Sequence, residues 1–361
     1  MAIERRPASL RSPRIRRVAL IALTSLVAAC GNAVREEAAQ SGSAGAGTEA
    51  NLPAGGTGGT AGAPVWGIAP SPFVPFADGG CGGECAEDVP LDCDARSSSD
   101  DVAIGPSCEG LGLTCGPCAD DCCRTSLIQS GTSSTQTIPG TVFEVAAFRL
   151  DKYEVTVGRF AKFWADYPRN LPKAGEGKNP YAQTPDAGWD VLWNSQFLPV
   201  TQAELTQAIE CDPELATWHM GDQRLPMNCL TWHIAQAFCL WDGGRLPADV
   251  EWQRALVADD ERPYPWGTAP PHSRFAVIGS DSPAVVGSRS PKGDGAWGQS
   301  DLVGNVGEFV IDAYYPLAVT DEPFRIQRGG AFKGAVPRST DLSFGFQAFR
   351  QPTVGARCVM R

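Results

Sequence analysis

A single glutamate, Glu308, lies within the apolar and glycine-rich segment DLVGNVGEFVIDAYY, residues 301–315. A carboxylate in such surroundings must be solvated, paired with a cation or bound to a metal ion, because burying it alone costs too much free energy. The residues of the segment do not by themselves decide among these three states. Glu308 is therefore the first candidate for a functional or structural site.

Other residue types with catalytic chemistry do not form a recognisable constellation. The chain has three histidines, His219, His233 and His272, and they form neither an HxH nor an HExxH pattern, so no histidine metal centre is predicted. No GxSxG elbow is present. Asp249 and Glu251 stand at the start of a predicted helix, where carboxylates suit the helix dipole better than acid–base catalysis.

Eight of the 13 cysteines are crowded into one stretch, and we predict a small disulfide-stapled module over residues 81–123. Zinc is the rival interpretation, although the spacings do not form two regular pairs. The tetrapeptide CGPC, residues 115–118, matches the thioredoxin active site, but no apolar strand precedes it, so structural disulfides are expected here. The pairing within the module stays open.

The N-terminus, MAIERRPASLRSPRIRRVALIALTSLVAAC, combines six arginines with an apolar run, 18–29, that is too short to span a bilayer. It resembles a bacterial lipoprotein signal with its lipobox at residues 27–30. The resemblance implies a signal peptide over 1–29, a lipid on Cys30 and a place in the cell envelope, where Gly31 favours the outer membrane. An ordinary secretory leader with an incidental cysteine is the alternative.

Beyond the leader, the chain is acidic. Residues 1–29 hold six Arg and one Glu, or +5, so the chain's net charge of −11 leaves −16 for the remainder. Such a charge repels phosphate backbones, and nucleic acid is not an expected partner. Residues 30–80 are rich in Gly and Ala and are predicted to be a flexible linker.

Regular periodicity begins near residue 142. The run FEVAAFRLDKYEVT alternates as a strand does. Helices are predicted after Thr156, from Thr231 to the glycines at 243–244, and again after Pro247. The last hundred residues are rich in turns, so an α+β domain with much irregular coil is expected.

Six motifs then occur in an order that resembles the formylglycine-generating enzyme (sulfatase-modifying factor) family. They are FRLDKYEVTVGRFAKFW, PMNCLTWHIAQAFCLWDGGRLPADVEWQRAL, YPWG, DLVGNVGEF, RIQRGGAF and GARC. The resemblance covers residues 140–361 and implies a variant of the C-type lectin fold. Relatives in this family include iron-dependent oxygenases of ergothioneine biosynthesis and a pyoverdine-maturation protein.

The resemblance also implies structural features. It assigns one structural calcium ion to Asp301, Gly304, Val306 and Glu308, with side-chain oxygens from the first and last and backbone carbonyls from the other two. A solvated carboxylate is the alternative for Glu308. It further implies a disulfide between Cys239 and Cys358, and the remaining Cys211 and Cys229 are paired with each other.

The family's oxidase activity depends on two cysteines after the RGG strand that bind copper(I), a metal that requires soft thiolates. In this chain the matching positions are Gly334 and Ser339, so copper and the copper oxidase reaction are not expected. The iron-dependent relatives take their histidines from an N-terminal domain whose place is held here by the linker and the cysteine-rich module.

Two functional classes follow. The first is an envelope-tethered binding or scaffold protein whose ligand is an unidentified exported protein, a peptide or a glycan. The second is an enzyme of the broader formylglycine-generating and non-haem iron family that acts on an exported partner through other residues. The second hypothesis expects Arg338, Ser339 and Arg350 to gather in a groove near Gly334.

Overall fold

The computed structural model describes residues 105–183, 186–314, 324–334, 336–339, 341 and 343–360. The predicted signal peptide, the lipidation site Cys30, the linker and the first part of the cysteine-rich module lie outside the described residues. None of the helices in the described part is long and apolar enough to cross a membrane.

The domain is α+β, as predicted. Its helices are α1 Val157–Asp166, α2 Trp193–Gln196, α3 Gln202–Ala208, α4 Trp232–Trp241 and α5 Asp249–Val257. Its strands are β1 Thr114–Cys115, β2 Asp120–Asp121, β3 Thr125–Ile128, β4 Gly131–Ser134, β5 Val142–Val145, β6 Phe148–Asp151, β7 Gly244–Arg245, β8 Gly307–Tyr314, β9 Phe324–Arg328, β10 Ser343–Phe346, β11 Val354–Gly355 and β12 Val359–Met360.

The three predicted helices begin where the sequence indicated. The Thr156 hydroxyl accepts a hydrogen bond from the Arg159 N–H and caps α1, and Thr231 caps α4 in the same way through the Ile234 N–H. Each cap satisfies one of the backbone donors that a helix leaves unpaired at its N-terminus. Helix α4 ends just before Gly243, whose φ of 89° is readily adopted only by glycine.

Two four-stranded sheets form the framework. In one sheet the strand order is β10-β9-β8-β11, and in the other it is β3-β6-β12-β7. Strand β11 pairs with β8 in parallel, and the other pairings within these two sheets are antiparallel. The C-terminal strand β12 thus lies in the middle of its sheet, between β6 and β7.

The main core is aromatic. Phe160 and Phe163 on α1 pack against Phe238 on α4, with ring centroids 5.8 Å and 5.9 Å from the Phe238 ring. A disulfide between Cys239 and Cys358 joins α4 to the segment before β12, and a second joins Cys211 to Cys229. These are the two pairs predicted from the sequence.

The described part of the cysteine-rich module holds structural disulfides. Cys108 is bonded to Cys123 and Cys115 to Cys122, and Cys118 is also disulfide-bonded. The two halves of the CGPC tetrapeptide therefore do not act as a free redox pair. Just downstream, β3 pairs with β6, so residues before the predicted domain start at 140 contribute to its second sheet.

Candidate functional site

Glu308 is paired with a cation. It is the second residue of β8 and is 1% exposed. The Arg357 Nη2 lies 2.6 Å from Glu308 Oε1, and the Arg357 Nε lies 2.7 Å from Oε1 and 2.8 Å from Oε2. The indole N–H of Trp252 donates to Oε2 at 2.7 Å. Of the three states open to this carboxylate, the structure shows the ion pair.

Arg357 is itself fully buried, and each of its side-chain nitrogens donates a hydrogen bond. Its Nη1 donates to the carbonyls of Asp151 and Lys152 at 3.0 Å each, and its Nη2 donates to the Ser300 carbonyl at 2.8 Å. Burial alone would lower the pKa of Arg357, but the Glu308 carboxylate beside it raises that pKa above its ordinary value. The guanidinium therefore stays charged.

Asp301 is the other predicted calcium ligand with a side-chain oxygen, and only one of its two carboxylate oxygens has a hydrogen-bond partner in the described part of the chain. Its Oδ2 accepts the Gly287 N–H at 2.6 Å, whereas its buried Oδ1 has no hydrogen-bond partner among the described residues. Burial raises the pKa of Asp301 to about 6. The same loop is held by Glu154, which accepts the Asn305 side-chain amide at 2.6 Å and the Val306 N–H at 2.9 Å.

This arrangement does not fit a calcium ion bound by residues 301–308. The unused Asp301 oxygen suits a cation, but both oxygens of Glu308 are occupied by Arg357 and Trp252. An ion at Glu308 would also face the guanidinium charge. Arg357 supplies the positive charge that the resemblance assigned to calcium.

We expect calcium to leave the thermal stability unchanged. A ligand that binds only the folded state raises the melting temperature, and a chelator removes that gain. If no calcium site is formed, the melting temperatures in EDTA and in millimolar Ca²⁺ should agree within about 1 °C. Calorimetry in the two buffers measures this. A rise of several degrees with Ca²⁺ would reinstate the predicted calcium site.

The arginine of the RGG motif, Arg328, is also in a buried ion pair. Its Nε donates to Asp249 Oδ1 at 2.6 Å, and Asp249 is the first residue of α5. The other oxygen of Asp249 accepts the hydroxyls of Thr135 and Thr137. Asp249 stands at the start of a helix, as the sequence predicted, and it also pairs with Arg328, which the sequence did not indicate. This pair ties β9 to α5 and to the chain after β4.

Asp312 holds the same network from β8. Its Oδ2 accepts the Asp249 N–H at 2.6 Å, and its Oδ1 accepts the Asn179 side-chain amide at 2.9 Å. Burial, together with the nearby charge of Asp249, raises the pKa of Asp312 to about 6 from the ordinary value of 3.8. Because the folded-state pKa is raised, the stability that this group contributes is present below pH 3.8 and is lost as the pH rises through 6.

Asp312→Asn removes this titration. As the pH rises from 4 to 8, the wild type loses the contribution of Asp312 and the variant does not. The free energy of unfolding of the variant minus that of the wild type should therefore increase by about 1–3 kcal/mol over this range. A constant offset from the changed Asn hydrogen bonds does not affect that difference. Urea unfolding at several pH values measures it, with the exposed Asp281→Asn as the matched control. A gap independent of pH would contradict the raised pKa.

Gly334 and Ser339, which the resemblance aligns with the family's two cysteines, have different surroundings. Gly334 is exposed at a φ of 101°, and a Cβ built on it would meet open space. Ser339 is buried, and its backbone N–H donates to the Pro263 carbonyl at 3.0 Å. All nine cysteines in the described part of the chain are disulfide-bonded, including Cys358, the one that follows the RGG motif. No free thiol among the described residues is available at this position.

The structure does not bring Arg338, Ser339 and Arg350 together around one group. Arg338 is exposed, and its backbone N–H donates to the Asp341 carboxylate. The Arg350 Nη1 donates to the carbonyls of Gln207 and Ala208 at the end of α3. The catalytic cluster expected under the enzyme hypothesis is therefore not assembled by these three residues.

Ser339 instead lines a cavity of about 420 Å³, which we call the Ser339 cavity. Its wall is formed by β4, the C-terminal end of α5 and the loop that follows. Polar residues of this wall include Ser133, Gln253, Arg254, Asp259 and Glu261. Sequence reasoning missed this cavity, because β4 lies upstream of the predicted domain and its contact with α5 leaves no local pattern.

Two wall residues have strained backbones. Ala258 has φ 54° and ψ −139°, and Glu261 has φ 52°. Non-glycine residues rarely adopt such conformations, and they persist only where their surroundings fix them. The Arg254 Nη1 donates to the Ala258 carbonyl at 2.6 Å and so holds this turn. This hydrogen bond fixes part of the cavity wall.

The histidines are not part of the site. His233 is buried in α4, stacked on Phe197 at 4.2 Å and edge-on to Trp232 at 5.0 Å. Burial and the nearby Arg325 lower the pKa of His233 to about 3, so it is neutral. His219 is half exposed and lies 3.1 Å from the Glu210 carboxylate.

The two four-stranded sheets, helices α1, α4 and α5 and the extensive coil form an α+β domain. Residues 119–361 match the sulfatase-modifying factor enzyme 1-like domain, and the chain belongs to this family.

Three curated relatives show the range of names among the similar proteins. The hercynine oxygenase of Mycolicibacterium smegmatis is 30% identical over 219 residues, which are 54% of this chain and 48% of that protein. The formylglycine-generating enzyme of Streptomyces coelicolor is 31% identical over 139 residues, 31% of this chain and 43% of that protein. The inactive C-alpha-formylglycine-generating enzyme 2 of Bos taurus is 30% identical over 120 residues, which are 30% of this chain and 38% of that protein. The chain thus spans about half or less of the length of these relatives.

Among solved structures, PvdO from Pseudomonas aeruginosa is similar with a TM-score of 0.43 and 18% identity, over 65% of this chain and 93% of that chain.

Proposed function

We propose that this chain is a binding or scaffold protein of the family, without the copper–thiolate oxidase site. One observation supports the proposal: every cysteine among the described residues is in a disulfide, and the resemblance places Gly334 and Ser339 at the positions of the family's thiols. Glycine has no side-chain donor atom, and a serine hydroxyl is a hard, protonated ligand that does not suit copper(I). A relative whose name calls it inactive supports the same assignment.

Tethering to the cell envelope is part of this proposal. The N-terminal sequence resembles a lipoprotein signal with Cys30 as the lipidated residue, and a glycine-rich linker follows. In this arrangement the linker holds the domain away from the membrane. The ligand is an exported protein, a peptide or a glycan, and we assign the Ser339 cavity as its binding site, since ligand pockets are commonly preformed concavities.

The test is an assay for the family's reaction. The full-length protein is incubated with copper(I), oxygen and a cysteine-containing sulfatase-type peptide, and mass spectrometry measures conversion of cysteine to formylglycine. We expect no more conversion than in a control sample without the protein. Conversion that depends on the protein would overturn the proposal.

The relatives named hercynine oxygenase favour a second candidate, an enzyme that uses other residues. The measurement is oxygen consumption by the full-length protein with iron(II) and hercynine. Hercynine-dependent oxygen uptake would establish this second candidate. A rate equal to that of iron(II) alone, together with no peptide conversion, supports the binding function.

A further inference from the structure

The Ser339 cavity has polar atoms that lack partners. Ser133 and Gln253 are 6% and 8% exposed, and both line the cavity. Neither the Ser133 Oγ nor the Gln253 Oε1 has a hydrogen-bond partner among the described residues. A carbonyl oxygen can only accept, so the Gln253 amide in particular lacks a donor. Buried polar atoms of this kind are normally satisfied, and a bound group would satisfy them.

The cavity also has an unbalanced negative charge. Its described lining residues include one cation, Arg254, and two carboxylates, Asp259 and Glu261. Arg254 is committed: its Nη2 lies 2.6 Å from Asp259 Oδ1, and its other donors reach the carbonyls of Gln129, Ser130 and Ala258. Glu261 is exposed and has no ion-pair partner among the described residues.

We propose that the Ser339 cavity binds a positively charged hydrogen-bond donor, a primary ammonium or guanidinium group. This assignment rests on the proposed binding function and names the chemistry of its ligand. Glu261 supplies the opposite charge, and Gln253 and Ser133 accept the hydrogen bonds. An anion would meet two carboxylates and no uncommitted cation. A neutral polyol would leave the Glu261 charge unused.

The cationic group has two sources, a lysine or arginine side chain of a polypeptide and a small free amine. A cavity of about 420 Å³ has room for one such side chain. The turn at Ala258 and Glu261, where both residues have a positive φ, fixes the backbone that carries the carboxylate.

Calorimetric titration of the full-length protein tests the assignment. The probes are Nα-acetyl-lysine amide, Nα-acetyl-arginine amide and a short lysine-containing peptide. The neutral control is Nα-acetyl-norleucine amide, which keeps the aliphatic chain and lacks the charge. We expect at least one cationic probe to bind and the neutral control not to bind. Binding by the peptide alone identifies a polypeptide as the source, and binding by the amides identifies the side chain itself.

Glu261→Gln should weaken this binding about tenfold, since it removes a charge-assisted hydrogen bond. Ser133→Ala should weaken it about threefold. The matched control is Glu214→Gln, an exposed glutamate away from the cavity, which should leave the affinity unchanged. Melting temperatures of all three variants show that each is folded.

Absence of binding up to 10 mM of every cationic probe, about the weakest affinity calorimetry resolves, would overturn the cation assignment. So would equal binding of the norleucine amide, or an affinity unchanged in Glu261→Gln. These results differ from failure of the proposed function. That failure is detected as formylglycine formation in the peptide assay, whether or not the amine probes bind.

Discussion

Arg357→Leu is expected to lower the free energy of unfolding by about 3–5 kcal/mol. The substitution leaves the buried Glu308 carboxylate without its cation and leaves the carbonyls of Asp151, Lys152 and Ser300 without their donor. An unpaired buried charge is among the most destabilising changes a single substitution can make. Urea unfolding at pH 7 measures the loss.

The exposed Arg338→Leu is the matched control and should change the free energy of unfolding by less than about 0.5 kcal/mol. The double variant Glu308→Leu with Arg357→Leu should recover a large part of the loss, because no lone charge stays buried. A cost below about 1 kcal/mol for Arg357→Leu would mean that Glu308 is held by another cation. That result would restore calcium as the partner of this carboxylate.

Arg159→Met should cost a similar amount, about 3–5 kcal/mol, for a related reason. Arg159 is fully buried on α1, and its Nη1 and Nη2 donate to Asp151 at 2.9 Å and Asp242 at 2.7 Å. Its Nε donates to the Ser107 hydroxyl at 3.0 Å. Burial alone would lower the pKa of Arg159, but Asp151 and Asp242 raise it, so the side chain is charged in the folded state.

Arg169→Met is the control for this prediction. Arg169 also pairs with an aspartate, Asp166, but its side chain is 79% exposed, and such pairs contribute about 0–1 kcal/mol. The two variants remove the same chemical group at different burial. Equal effects would contradict the view that the buried network around Arg159 stabilises the junction of α1 and α4.

The sequence predicted those helices whose start is marked by residues close together in the chain. Thr156 and Thr231 cap helices as expected, since capping depends on residues three positions apart. Helix α3 was missed although it has such a signal: Thr201 and Glu204 form a capping box, and Glu204 accepts the Thr201 N–H. The four-residue helix α2 lacks any cap of this kind, and nothing in its sequence distinguishes it from a turn.

The partners at the candidate site could not be predicted, because they are distant in sequence. Glu308 was recognised as a carboxylate in need of a partner, but Arg357 lies 49 residues further on. The GARC motif was interpreted through Cys358 alone, although its arginine holds the loop. Asp249 and Arg328 are 79 residues apart, and Thr135, which joins them, precedes the predicted domain. Only the folded chain shows these contacts.

The central claim, that this member of the family has no thiol pair for copper, is tested most directly by a copper(I) competition titration. The full-length protein is titrated against a chromophoric copper(I) chelator under anaerobic conditions, and the absorbance reports the copper that the protein removes. We predict that the chelator keeps the metal at every protein concentration. Transfer of one copper(I) per chain with sub-micromolar affinity would contradict the account.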